Sequence, residues 1–137
     1  MIGRSRVPLG RRARAPASGP GGQWIVALPA WGERCVGVLL RSTLPALVIA
    51  LCALHKKAHV LIWTDQVEAV RAAALALSIP DAVLIAFRDV PGPDGAFESM
   101  SVCHRQAMQE AGPRDRVLLL TADMVMSREV LATCEAQ

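Results

Sequence analysis

The stretch His-Val-Leu-Ile-Trp-Thr-Asp, residues 59–65, decides the fold of this 137-residue chain. Its apolar residues are consecutive and do not alternate with polar ones, which is typical of a strand buried on both faces of a parallel sheet. Similar apolar runs at residues 24–28, 82–87 and 116–121 predict three more strands. Helical patterns separate the strands at residues 33–56 (bent at Leu44-Pro45), 67–77 and 97–111, and a last helix capped by Ser127 follows at 128–136.

This alternation of strands and helices predicts an α/β fold. Right-handed crossovers would give a Rossmann-like doubly wound parallel sheet of about four strands, with helices on both faces. The length suits one domain, which we expect at residues 23–137. Residues 1–22 are rich in Arg, Pro and Gly and contain five arginines but no acid, so we expect a disordered basic tail there.

Composition excludes several function classes. Hydrophobic residues make up 53% of the chain, which excludes general disorder. Without the tail, ten basic residues face twelve acidic ones, so no nucleic-acid partner is expected. The four cysteines lie far apart, which predicts reduced thiols in a cytoplasmic protein. Residues 35–54 approach the length of a membrane span, but Arg41 and Pro45 interrupt them, so a buried helix is expected instead.

In open α/β sheets, ligands bind beyond the carboxyl ends of the strands. No glycine-rich dinucleotide or phosphate motif occurs in the sequence, so a diphosphate would need another source of positive charge. Asp123, just after the fourth strand, could hold Mg²⁺ or Mn²⁺ for this purpose, or could cap its own turn. Asp65 and Glu68 have the spacing of a helix capping box, which is compatible with a ligand contact by Asp65. Arg88 is expected in a surface ion pair with Asp89, or on a phosphate.

Four segments together resemble the N-terminal, nucleotide-sugar-binding half of a glycosyltransferase of the GT-A type. They are Pro-Ala-Trp-Gly-Glu-Arg at residues 29–34, Ser-Thr-Leu-Pro-Ala-Leu at 42–47, Thr-Asp at 64–65, and Leu-Leu-Leu-Thr-Ala-Asp-Met-Val-Met-Ser at 118–127. The resemblance covers about residues 23–137. It implies that Asp123 binds a divalent cation, Mn²⁺ or Mg²⁺, and that the nucleoside is held by Pro29, Ala30, Trp31, Glu33, Thr64 and Asp65.

Two departures from the family pattern shape the functional expectation. The acidic motif around residue 123 has one acid where the family usually has two, and the acceptor-binding half is missing after the last helix. We therefore expect a truncated, hexosyltransferase-type domain that binds a nucleotide-diphosphate sugar and is inactive by itself, with no catalytic residue assigned. The alternative is a non-catalytic α/β module that binds a ligand or partner. Uncovered apolar surface would favour self-association in either case.

Overall fold

The computed structural model describes residues 22–91, 96–124 and 127–136. The predicted basic tail therefore lies outside the described residues, apart from Gly22. The strands are β1 (Trp24–Pro29), β2 (Ala58–Trp63), β3 (Val83–Arg88) and β4 (Arg116–Leu119). The helices are α1 (Glu33–Val38), α2 (Leu44–Leu54), α3 (Val67–Ala76), α4 (Ala96–Glu110) and α5 (Arg128–Ala136), and a π-helical turn (Leu39–Thr43) joins α1 to α2.

The four strands form one parallel sheet in the order β3-β2-β1-β4. Trp24 at the start of β1 lies opposite Ala58 of β2 on one side and Arg116 of β4 on the other. All six residues of β1 and of β2 are buried, as their apolar runs predict, and the buried residues of β2 include His59. β4 is an edge strand and only partly buried, and Leu119 is 39% exposed.

Helices cover both faces of the sheet, which confirms the predicted doubly wound arrangement. On one face, Val26 and Leu28 of β1 join the larger core, to which α1, α2, α3 and α5 contribute. On the other face, Ile25 and Ala27 pack with Cys103 and Ala107 of α4. Successive residues of β1 thus point to opposite faces, and apolar helices meet them on both.

The long helical region before β2 contains the wide turn where the sequence predicted a bend. Proline at position 45 has no N–H for the carbonyl four residues earlier, and the π-helical turn just before it accommodates this break. The run Glu33–Leu54 is long and apolar enough to cross a membrane by length and composition. Leu44, Leu47 and Leu51 on this run are buried in the core of the domain.

A polar network fixes the last helix to the start of the sheet. The predicted cap is confirmed, since Ser127 Oγ accepts a hydrogen bond from Val130 N at 3.2 Å. Near the other end of α5, Glu135 accepts a hydrogen bond from the Trp24 indole Nε1 at 2.9 Å and lies 3.5 Å from Lys56 Nζ. The Arg116 guanidinium donates to the Glu135 carbonyl and lies over the Trp24 ring. These contacts hold α5 beside α2 on the larger core.

Arg88 and His59 are buried polar residues on the face of the sheet that α4 covers. Arg88 forms a buried ion pair with Glu110 at 2.9 Å, so the expected surface pair with Asp89 is wrong. The side chain of residue 88 points to the α4 face, whereas Asp89 lies beyond the strand and is exposed. His59 of β2 is 3% exposed, and its Nδ1 has no hydrogen-bond partner. Burial, reinforced by the nearby Arg88 guanidinium, lowers the pKa of His59 from 6.5 to about 4.

This depressed pKa predicts a loss of stability in mild acid. Between pH 6.5 and about 4 the unfolded chain binds a proton at His59 that the folded chain refuses, so the free energy of unfolding falls as the pH falls. The contribution is roughly 3 kcal/mol across this window. Urea unfolding at several pH values should show a shallower pH dependence in His59→Leu than in the wild-type protein. Parallel curves for the two proteins would contradict this role of His59.

Candidate functional site

A crevice opens where the order of the strands reverses. β2 and β3 lie on one side of β1, and β4 lies on the other. The loops that follow β1 and β4 lead to α1 and α5, which both pack on the larger core, and the crevice is lined by residues of these two loops. This is the position at which open α/β sheets bind ligands. The crevice there has a volume of about 540 Å³, which is in the range of small-molecule sites.

The β1 side of the crevice is largely apolar. Pro29 and Ala30 line it at the end of the strand, and Ala30 N donates to the Trp63 carbonyl at 2.8 Å, which extends the pairing with β2. Trp31 also lines the crevice, and it packs against the core on the α4 face. Its half-buried ring therefore offers a fixed aromatic wall to a ligand.

Gly32, which follows Trp31, explains why Asp65 does not cap α3. Gly32 has a positive φ of 85°, and its N–H donates to both carboxylate oxygens of Asp65, at 3.2 and 3.4 Å. The predicted capping box is therefore wrong: α3 begins after Gln66, whose N–H is bound instead by Thr64 Oγ1 at 3.1 Å. Asp65 ties the loop after β1 to the end of β2 and lies beside the crevice without lining it.

The β4 side of the crevice carries the predicted metal ligand. Asp123 lines the crevice and is exposed, and its Oδ1 accepts a hydrogen bond from Thr121 Oγ1 at 2.6 Å. This bond, and a second one from its own backbone N–H, hold the pKa of the Asp123 carboxyl below its ordinary value. Asp123 thus stabilises its own turn, one of the two roles that the sequence left open, and its side chain lines the crevice. The other role, binding of Mg²⁺ or Mn²⁺, stays a prediction.

A buried hydrogen bond fixes this loop to the helical region across from it. Thr43, at the end of the π-helical turn, is fully buried, and its hydroxyl donates to the Ala122 carbonyl. Ala122 is itself a crevice residue between Thr121 and Asp123. The wide turn that accommodates Pro45 therefore also positions the loop that carries the acid.

Loss of the Thr43 hydroxyl is expected to weaken the fold at this point. Thr43→Val keeps the shape of the side chain but leaves the buried Ala122 carbonyl without its donor, at a cost of about 1–2 kcal/mol. Ser42→Ala, at the exposed neighbouring position, should change stability by less than about 0.5 kcal/mol. Urea unfolding of the two variants checks this, and equal midpoints for Thr43→Val and wild type would contradict it.

The structure brings together only part of the predicted site. Pro29, Ala30, Trp31 and Asp123 line the crevice, whereas Glu33, Thr64 and Asp65 do not. Glu33 begins α1 with an exposed side chain. Thr64 and Asp65 act on backbone N–H groups of the loops, as described above.

Arg34, Cys35 and Val38 also line the crevice. The sequence placed Arg34 in the segment after the first strand but gave it no role, and it did not point to Cys35 or Val38. Arg34 and Val38 are one turn apart in α1, and Cys35 is next to Arg34. Trp31 precedes the helix, and Gly32 between them has a positive φ, so the spacing along the sequence did not relate the side chain of Trp31 to these three. Arg34 is the important addition, because it brings the only positive charge among the described residues that line the crevice.

Other candidate chemical groups are unsuited to catalysis here. Burial raises the pKa of the Cys103 thiol to about 12, so it is not a nucleophile at neutral pH. His104 beside it is half-buried, and its Nε2 lies 3.3 Å from the Leu120 carbonyl, which is a structural contact.

The donor set at the crevice limits how a cation could be held. Within residues 22–91, 96–124 and 127–136, no three His, Cys, Asp or Glu side chains come together to form a metal site. Asp123 alone could contribute a carboxylate, so phosphate oxygens and water would supply most of the ligands. Magnesium binds in this way, through one or two carboxylates plus the phosphates of a substrate.

Comparison of the chain with protein-family models, with curated proteins and with solved structures found no match. The fold places the chain in a class, that of Rossmann-like α/β domains with a crevice at the point where the strand order reverses.

Proposed function

We propose that the crevice binds a nucleotide-diphosphate sugar and that the chain is the donor-binding half of a GT-A-like glycosyltransferase. The observation that carries this proposal is the meeting of a half-buried tryptophan, Trp31, and an ionised carboxylate, Asp123, in one crevice at the reversal of the strand order. The GT-A resemblance of the sequence supports the same assignment from the order of its segments.

Each wall suits a different part of such a ligand. The ring of Trp31 gives a nucleobase a flat apolar surface on which to stack. Asp123 would contribute one ligand to a divalent cation that arrives bound to the diphosphate, and this cation would neutralise charge on the departing phosphates. Positioning of the donor and stabilisation of the leaving diphosphate are then the contributions of this chain to transfer.

Fluorescence provides a local test of donor binding, because Trp31 lines the crevice while Trp24 and Trp63 are buried. Titration with UDP-glucose, GDP-mannose and ADP-glucose in Mn²⁺ should give a saturable change in emission for at least one of them. The change should be lost in Trp31→Phe even where calorimetry still detects binding. An unchanged spectrum up to about millimolar concentrations of all three would favour the non-catalytic module.

Asp123→Asn is expected to weaken binding of the preferred sugar nucleotide in Mn²⁺ about tenfold, or about 1.4 kcal/mol. The variant keeps the hydrogen bond that stabilises the turn but loses the charge of the proposed metal ligand. Calorimetric titration measures the change. Asp81→Asn is the matched control, because Asp81 is an exposed acid in the turn before β3, at the opposite edge of the sheet. Equal affinities of Asp123→Asn and wild type would contradict the assigned role of Asp123.

A further inference from the structure

We infer that Arg34 binds the phosphates of the nucleotide directly, so that binding of a nucleoside diphosphate does not depend on a metal ion. This inference rests on the proposed function, because it concerns the same crevice. A single carboxylate, Asp123, does not hold a cation firmly. Arg34 would therefore supply the positive charge that binds the phosphates.

The position of Arg34 supports a ligand-binding role. It is the second residue of α1 and lines the crevice together with Trp31 and Asp123. Its side chain is exposed, so the guanidinium is accessible to a ligand that enters from solvent.

Three other arginines of the domain lie beside acids, whereas no such partner is found for Arg34 among the described residues. Arg71 pairs with Glu68, and Arg88 pairs with the carboxylate of Glu110. Arg116 lies 3.5 Å from Glu135. For Arg34, neither an ion pair nor a hydrogen bond of its side chain is found within the described ranges. A guanidinium left unpaired at the wall of a crevice is available for an anionic ligand.

The charges of the crevice require such a group. A diphosphate carries at least two negative charges, and Asp123 adds a third close by, so the ligand would be repelled without compensation. A cation held by one protein carboxylate is readily lost when a chelator is present. A guanidinium is permanently charged, and its planar set of N–H donors matches phosphate oxygens in pairs. Arg34 can therefore bind the diphosphate in the absence of metal.

Arg41 provides a matched control in the same helical region. It is exposed like Arg34, but its guanidinium Nη1 lies against Gly37, 3.1 Å from where a Cβ would stand on that glycine. It does not line the crevice. Replacement of either arginine by glutamine removes one positive charge from the same part of the chain, but only one replacement acts at the site.

The test compares a nucleoside diphosphate with its own nucleoside in EDTA. The full chain is titrated by calorimetry with UDP, GDP and ADP and with uridine, guanosine and adenosine. For the base that binds best, we expect the diphosphate to bind at least tenfold more tightly than the nucleoside. Arg34→Gln should remove most of this preference and leave the affinity for the nucleoside unchanged. Arg34→Lys should retain part of it, and Arg41→Gln should retain all of it.

The outcomes separate this inference from the proposed function. If wild type binds the diphosphate in EDTA and Arg34→Gln binds it equally well, Arg34 is not the phosphate ligand. If wild type prefers the diphosphate only when Mn²⁺ is present, the inference is wrong and the metal-dependent form of the proposed function stands. If wild type binds neither diphosphate nor nucleoside in either buffer, the proposed function itself fails. Thermal unfolding of Arg34→Gln and Arg34→Lys confirms that each variant is folded before it is titrated.

Discussion

The site depends on the central position of β1, which pairs with β2 along one edge and with β4 along the other. Six consecutive buried residues, Trp24–Pro29, leave this strand no place except the middle of the sheet. Since β2 and β3 occupy one side, the chain must cross back over the opposite face through α4 to reach the other. The crevice between the loops after β1 and β4 is a direct consequence of that crossing.

Three polar contacts then hold the walls of the crevice in place. Gly32 N–H binds the Asp65 carboxylate, the buried Thr43 hydroxyl binds the Ala122 carbonyl, and Thr121 binds Asp123. The first joins the loop after β1 to the end of β2, and the second joins the loop after β4 to the π-helical turn. Because these contacts are made within the chain itself, the walls are fixed before a ligand enters, which reduces the ordering cost of binding.

The sequence predicts the fold well and the site only in part, for physical reasons. Continuous apolar runs are typical of strands in a parallel sheet, so all four strands and their parallel pairing could be predicted, although β4 at the edge is only partly buried. The spacing of Asp65 and Glu68 is a local signal, and here the N–H of Gly32, which is 33 residues away along the chain, takes the carboxylate instead. The contact of Thr43 with Ala122 joins residues 79 positions apart, and no local pattern encodes it. Arg34 lies in the segment predicted to follow the first strand, but no local pattern showed that its side chain lines the crevice.

If the crevice is a nucleotide site, a bound nucleotide should shield Cys35 from chemical modification, and the rate of modification at Cys35 then reports whether the crevice is occupied. Cys35 lines the crevice and is the exposed cysteine of the chain, whereas Cys103 is buried and Cys52 and Cys134 are partly so. The rate of modification by a maleimide can be followed at each cysteine by peptide mass spectrometry. A saturating nucleoside diphosphate is expected to slow modification at Cys35 and to leave Cys52 and Cys134 unchanged. Modification of Cys35 at the same rate with and without UDP, GDP and ADP would contradict the account.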